Sequence, residues 1–178
     1  MVNITTEGFI HVPLTPEMIS TAQDKARDLG ILRNSIRGGG GNIVGFLGEE
    51  ICLAAFEGAV STNTFQHDFV MKDLRWEVKS KDRTVRPRLD YEASVANFNA
   101  TQKTDFYIFT SIFRDKTTGL YTDGYVIGFV DPKVYKAKAQ FLNVGDIDPT
   151  NGWKVKAACY NLPYRKLLGF HDVRSTSA

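Results

Sequence analysis

The chain has 178 residues, a formal net charge of +2, and 43% hydrophobic against 24% charged residues. That balance belongs to an ordinary globular domain, and with 15 glycines and 6 prolines it excludes disordered, collagen-like and proline-rich chains. No apolar run approaches the ~18 residues of a membrane span, and this length predicts a single domain over 1–178.

The start, Met1-Val2-Asn3-Ile4, carries neither a basic nor an apolar leader segment, so a cytoplasmic protein without membrane partners is expected. Residues 1–14 read as an edge strand or arm. Thr15-Pro16-Glu17 places a hydroxyl at the N-cap, proline at N1 and an acid in the first turn, which predicts a helix over 15–29 that stops at Gly30. The glycine run in 34–41 predicts a loop. Asn42 then caps a second helix from Ile43 to about Gly58. Residues 64–70 and 74–80 read as two strands of a hairpin joined at Met71-Lys72-Asp73. The polar, basic segment 82–90 reads as a loop, and 91–103 as a third helix with a stripe of Tyr91, Val95, Phe98 and Gln102. Strands are expected at 105–113, 124–130 and 153–160, a short helix from Asp131-Pro132 to about Ala139, and another over 162–168. This order predicts an α/β fold in which helices flank both faces of a central mixed β-sheet.

Several chemistries are excluded. The glycine run is not followed by Lys-Ser/Thr, so it is no phosphate-binding P-loop. His11, His67 and His171 are scattered, and no Gly-x-Ser-x-Gly elbow occurs. Cys52 and Cys159 belong to no Cys-x-x-Cys pair and read as small buried hydrophobes. Lys79, Lys81, Arg83, Arg86 and Arg88 against Asp82 form a local excess of positive charge, whereas Lys133, Lys136 and Lys138 form a looser one.

The segment 68–81, DFVMKDLRWEVKSK, is the informative one. On a strand Glu77, Lys79 and Lys81 share one face, and Trp76, Val78 and Ser80 the other. A short hairpin brings Asp68 beside Glu77, so that two carboxylates meet one ammonium. Mg²⁺ takes one or two carboxylates and completes its shell with water and phosphate oxygens. A bare acid-x-Lys match means little, and Asp131-Pro132-Lys133 is a second one at a helix start, where Asp131 is an N-cap. The Glu77 match has a strand context that the other lacks. On the second helix Glu49 stands among Gly45, Gly48 and Cys52, whose small size permits close approach to the sheet, whereas Glu50 shares an edge with Glu57. Gln102 would end its stripe with a polar group that needs a partner.

These residues resemble the PD-(D/E)xK nuclease superfamily, whose restriction-endonuclease-like core is a helix, a strand meander, a helix and a strand. The likeness runs over about 42–113. Gly48-Glu49 resembles the first-helix glutamate, with Glu49 versus Glu50 left open. Asp68 takes the place of the metal-binding aspartate, preceded by His67 rather than proline. Glu77-Val78-Lys79 matches the (D/E)xK element, and Gln102 resembles a glutamine found in several branches. The compact chain is similar to small phage or mobile-element endonucleases, for which the compartment would be the host cytoplasm.

The resemblance implies a Mg²⁺-dependent DNA endonuclease, with Mn²⁺ as a substitute. Asp68, Glu77 and the Val78 carbonyl would be direct ligands, Glu49 would bind through water or a second ion, and Lys79, positioned by Gln102, would hold the attacking water. Lys81, Arg83, Arg86 and Arg88 would contact DNA phosphates, with Arg37 as a second clamp. Cutting both strands would call for a homodimer. A nuclease-like DNA-binding module without activity and a small interaction protein are the competing readings.

Overall fold

The computed structural model describes residues 1–29, 40–62, 64, 66–97 and 100–170, and of residues 40–42 only the backbone. The chain is an α/β protein built in three layers. The middle layer is a seven-stranded mixed sheet made of β1 (Asn3–Ile4), β2 (Ile10–Pro13), β3 (Val60–Ser61), β4 (Phe69–Met71), β5 (Leu74–Arg83), β7 (Phe106–Arg114) and β8 (Tyr121–Val130). Its order is β1-β2-β8-β7-β5-β4-β3, with β5 and β7 parallel and every other neighbouring pair antiparallel.

Helices α1 (Pro16–Leu29) and α2 (Gly40–Ala55) cover one face of this sheet. The Thr15 hydroxyl accepts the Met18 N–H at 3.2 Å, which is the cap expected from the sequence. Leu47, Ile51 and Cys52 of α2 are fully buried with Trp76, Val78, Ile108 and Val126 from the sheet. The helix can lie this close because Gly124 of β8 has no side chain: a Cβ there would stand 2.7 Å from Ile51 Cγ2.

The opposite face carries a second sheet rather than helices. It consists of β6 (Glu92–Ala96), β10 (Cys159–Pro163) and β9 (Gln140–Leu142), in the order β6-β10-β9. Together with α3 (Pro132–Lys138) it closes a second core in which Tyr107, Phe109 and Ile127 meet Ala93, Val95, Tyr135 and Leu162. β7 is therefore sandwiched between two apolar layers, and its residues 107–112 are all buried for that reason, Thr110 and Ser111 among them.

Several expectations are corrected. The third helix over 91–103 is instead β6 followed by a turn and loop. Ala93 and Val95 are buried at a spacing of two, and the five ladder pairs with β10 outweigh the helical spacing of Tyr91 and Val95. Asn42 does not begin α2, because the helix already includes Gly40 and Gly41. The first hairpin strand is only Phe69–Met71, and β5 continues to Arg83, into the stretch expected to be a loop. The last strand is Cys159–Pro163, followed by a single 3₁₀ turn at Tyr164–Lys166. Gly30, Phe98, His171, Arg37 and the first glycines of the glycine run lie outside the described residues. Among the described residues no helix is long and apolar enough to cross a membrane.

Candidate active site

The hairpin of β4 and β5 begins the site. Lys72 and Asp73 both have positive φ, 54° and 60°, which makes a two-residue turn that follows the twist of the strands. The resulting register pairs Phe69 with Trp76 and sets Asp68 against Glu77 at the next position. Asp68 is fastened there twice. Its N–H donates to the Trp76 carbonyl at 2.9 Å, and its Oδ2 accepts the Val78 N–H at 2.7 Å.

Alternation along β5 divides its side chains as the sequence predicts. Trp76 and Val78 enter the core under α2. Glu77 and Lys79 face the other way, and Lys79 Nζ lies 5.7 Å from the centre of the Tyr107 ring. Lys79 Nζ donates to Glu77 Oε1 at 2.9 Å and to Gln102 Oε1 at 2.6 Å, and Gln102 Nε2 donates to Glu77 Oε1 at 2.9 Å. The three side chains close a ring of hydrogen bonds.

Gln102 is the expected residue on an unexpected element, the loop before β7. That loop is stapled to its surroundings. The Lys103 N–H donates to Gln66 Oε1, the Thr104 hydroxyl donates to the Arg75 carbonyl at 2.9 Å, and the Asp105 carboxylate receives Arg75 Nε and the Arg75 N–H at 3.1 and 2.8 Å. The amide thus arrives at Glu77 by tertiary fastening rather than by helical periodicity.

From above, α2 delivers Glu49, which is 9% exposed and stands within hydrogen-bonding reach of Asp68. Of the two glutamates, Glu49 is the one beside Asp68, whereas Glu50 turns to Lys25, whose Nζ donates to its Oε1 at 3.2 Å. Lys25 Nζ also lies 4.0 Å from Glu49 Oε2. Lys25 sits on α1 in no local motif, and sequence reasoning had no signal with which to find it.

Three carboxylates thus crowd together, with Lys79 at Glu77 and Lys25 at Glu49. Burial, reinforced by the Asp68 charge, raises Glu49 to about 9. Burial raises Glu77 to about 7, against the pull of Lys79 and with the push of Asp68. Burial also raises Asp68, opposed by the Val78 N–H. The closeness of Glu49 and Asp68 raises the first and tends to lower the second.

A hard cation would relieve this crowding. Among the described residues no group of three or more His, Cys, Asp or Glu side chains is arranged to hold a metal ion, so the carboxylates form no ready-made cage. Mg²⁺ requires less than that, since one or two carboxylates suffice when water and phosphate complete its shell. The donors present are all oxygens, and Glu49 Oε2 and Glu77 Oε2 are buried without a hydrogen-bond partner. The residues fit such an ion.

The basic residues are dispersed. Lys81 is on the same face of β5 as Lys79, and it lines a neighbouring cleft. The Arg83 guanidinium is packed 4.5 and 5.7 Å from the ring centres of Tyr91 and Tyr164. Arg88 is exposed and pairs with Asp90 at 3.1 Å. Arg86 is exposed too, and its charge acts on Glu7 and Asp123, beyond the far side of the sheet from β4. Asp131, in the second acid-x-Lys match, accepts the N–H groups of Lys133 and Val134 and is the cap of α3.

No protein-family profile matches the chain, and no curated protein matches it significantly.

Proposed function

We propose that the protein is a metal-dependent DNA endonuclease with a restriction-endonuclease-like core. The observation that carries this reading is the gathering of Glu49, Asp68 and Glu77 from three elements beside Lys79 and Gln102, with two buried carboxylate oxygens that have no hydrogen-bond partner. A merely solvated charged face would not bury Glu77 to 6% exposure or link it to a glutamine 25 residues away.

Asp68 and Glu77, with the Val78 carbonyl beside them, would hold Mg²⁺ or Mn²⁺, and Glu49 would reach it through water or a second ion. A bound divalent cation supplies a lowered pKa for water and neutralises charge on the phosphate. Lys79 holds the attacking water by a hydrogen bond and stabilises the negative charge that gathers on the phosphoryl oxygens. Gln102 keeps the Lys79 ammonium in place, and Glu77 fixes it from the other side. Lys81 and Arg88 offer phosphate contacts near this face, Arg86 further away. Cleavage of both strands would need two copies of the site, hence a homodimer for that product.

The test is a cleavage assay on supercoiled plasmid, linear duplex and branched DNA with Mg²⁺, Mn²⁺ or EDTA, comparing wild type with Lys79→Ala. Metal-dependent cutting lost in the variant supports the reading. A folded wild type that cuts no substrate with either metal overturns it.

A further inference from the structure

Next to the carboxylate cluster lies a cleft of about 710 Å³, between the end of β5 and the small sheet, that the proposed reaction does not use. Its volume suits one small ligand. Lys81 lines it two residues beyond Lys79 on the same face of β5, a displacement of about 6.6 Å at the rise of a strand. The cleft therefore opens beside the point where a phosphodiester would be cut.

The lining is chemically specific. Glu92 of β6 is 9% exposed, and its Oε2 has no hydrogen-bond partner. The neighbouring polar groups are already engaged: Ser94 Oγ donates to Asn161 Oδ1 at 2.5 Å, and Asn161 Nδ2 donates to Asp148 Oδ2 at 3.1 Å. Asp148 in turn accepts the Thr150 N–H at 2.8 Å. This leaves two buried polar atoms of the lining unmet, the acceptor Glu92 Oε2 and Arg83 Nε. At the rim Trp153 is 58% exposed, although it is the kind of residue that cores usually claim, and Lys156 Nζ lies 5.3 Å from its ring centre.

A buried acceptor, an open aromatic face and ammonium groups correspond in turn to an exocyclic amino group, a planar base and a phosphate. Glutamate accepts from such amino groups in base recognition, and aromatic rings stack on bases without regard to sequence. We propose that this cleft takes one nucleotide of the substrate strand, with its base stacked on Trp153, its amino group donating to Glu92 and its phosphate held by Lys156 and Lys81. In naming the occupant as part of the substrate the proposal rests on the nuclease reading. It makes the cleft the place where the enzyme selects its cutting position and favours cytosine or adenine over thymine.

The experiment is a fluorescence titration of the full chain in EDTA, where no cutting occurs. The chain has two tryptophans, and Trp76 is 5% exposed, so quenching by a ligand reports on Trp153. The probes are dCMP, dAMP, dTMP, deoxycytidine and arginine amide. The expected result is quenching by dCMP or dAMP about tenfold tighter than by dTMP, the loss expected for one hydrogen bond to a charged acceptor. Glu92→Leu, which removes the acceptor, should abolish that preference while its circular dichroism stays that of wild type, whereas Glu92→Gln, whose amide oxygen still accepts, should keep it for dAMP. Lys156→Ala should weaken dCMP but not deoxycytidine, and Trp153→Phe should remove the signal. Equal affinity for dCMP and dTMP, no quenching by any nucleotide, or quenching by arginine amide alone overturns the proposal, the last marking a surface for a protein's arginine. Plasmid cleavage is scored separately: cutting without nucleotide binding sinks the cleft alone, and nucleotide binding without cutting sinks the nuclease reading while the pocket stands.

Discussion

Gly48 of α2 lies against Ser80 of β5 so closely that a Cβ on Gly48 would collide with the Ser80 hydroxyl and stand 2.7 Å from Thr110 Oγ1. Those two hydroxyls are hydrogen-bonded to each other at 2.7 Å, and Thr110 is fully buried, so neither can withdraw freely. The next residue is Glu49. Gly48→Ala should lift this turn of α2 from the sheet and lower stability by about 1–3 kcal/mol, as overpacking does. It should also lose the effect of Mg²⁺ on the melting temperature. Gly45→Ala, where a Cβ meets nothing within 4 Å, is the control and should do neither.

Lys79→Ala removes the only ammonium hydrogen-bonded to both Glu77 and Gln102 among the described residues. Cleavage should fall by about 10²–10³-fold, the scale of losing one group that stabilises developing charge. Binding of Mg²⁺ should survive, because the carboxylates remain. Single-turnover cleavage and a thermal-shift titration with Mg²⁺ separate the two effects.

Asp68→Asn keeps the size of the side chain and its acceptor for the Val78 N–H but removes the charge. A ligand that binds only the folded state raises the melting temperature with its concentration. Wild type should show that rise with Mg²⁺, and Asp68→Asn should not. A variant that retains full Mg²⁺-dependent cutting would remove Asp68 from the assignment.

Stability of the metal-free protein should depend on pH in a direction set by the site. Glu49 at about 9 and Glu77 at about 7 both lie above the ordinary carboxylate value of 4.5. An acid raised on folding favours the folded state while it stays protonated. That contribution is complete below the ordinary value and is lost as pH climbs through 7 and on to about 9. The melting temperature in EDTA should therefore fall across this window. Glu49→Gln should flatten the upper part of the decline, and Mg²⁺ should flatten it in wild type. A melting temperature that rises over the same window contradicts the crowded-carboxylate picture.

The arginines should separate by role. Arg83 is held between two tyrosine rings, and its Nη2 lies 3.4 Å from the Tyr164 hydroxyl. Arg83→Ala should cost about 1–2 kcal/mol of stability, through lost stacking and packing. Arg88→Ala should leave the melting temperature unchanged and reduce the salt dependence of DNA binding by about one counterion. Binding isotherms at several salt concentrations, read beside melting curves, distinguish the two.

The sequence exposed those parts of the site that depend on local geometry. Alternation along a strand and a two-residue turn suffice to put Asp68, Glu77 and Lys79 together, and three small neighbours suffice to point Glu49 inward. Gln102 was found for a mistaken reason. The helical stripe through Tyr91 and Val95 is a strand, and the amide reaches Glu77 because Gln66 and Arg75, distant in sequence, clamp its loop. Such fastening leaves no periodic trace. The second sheet was hidden for a similar reason: β6, β9 and β10 are short, and only their mutual pairing makes them strands. Lys25 and the cleft around Glu92 depend on contacts across the whole chain and have no local signature.

The seven-stranded sheet ends on each side in a strand of only two residues, Asn3–Ile4 and Val60–Ser61. An edge that short offers almost no ladder for another chain to extend, which is how natural sheets resist edge-to-edge aggregation. Two copies of this protein would therefore not associate by continuing the large sheet from one molecule into the next. A pair assembled on a duplex would have to meet through helices, loops or the small sheet, leaving the edges of the large sheet out of the contact.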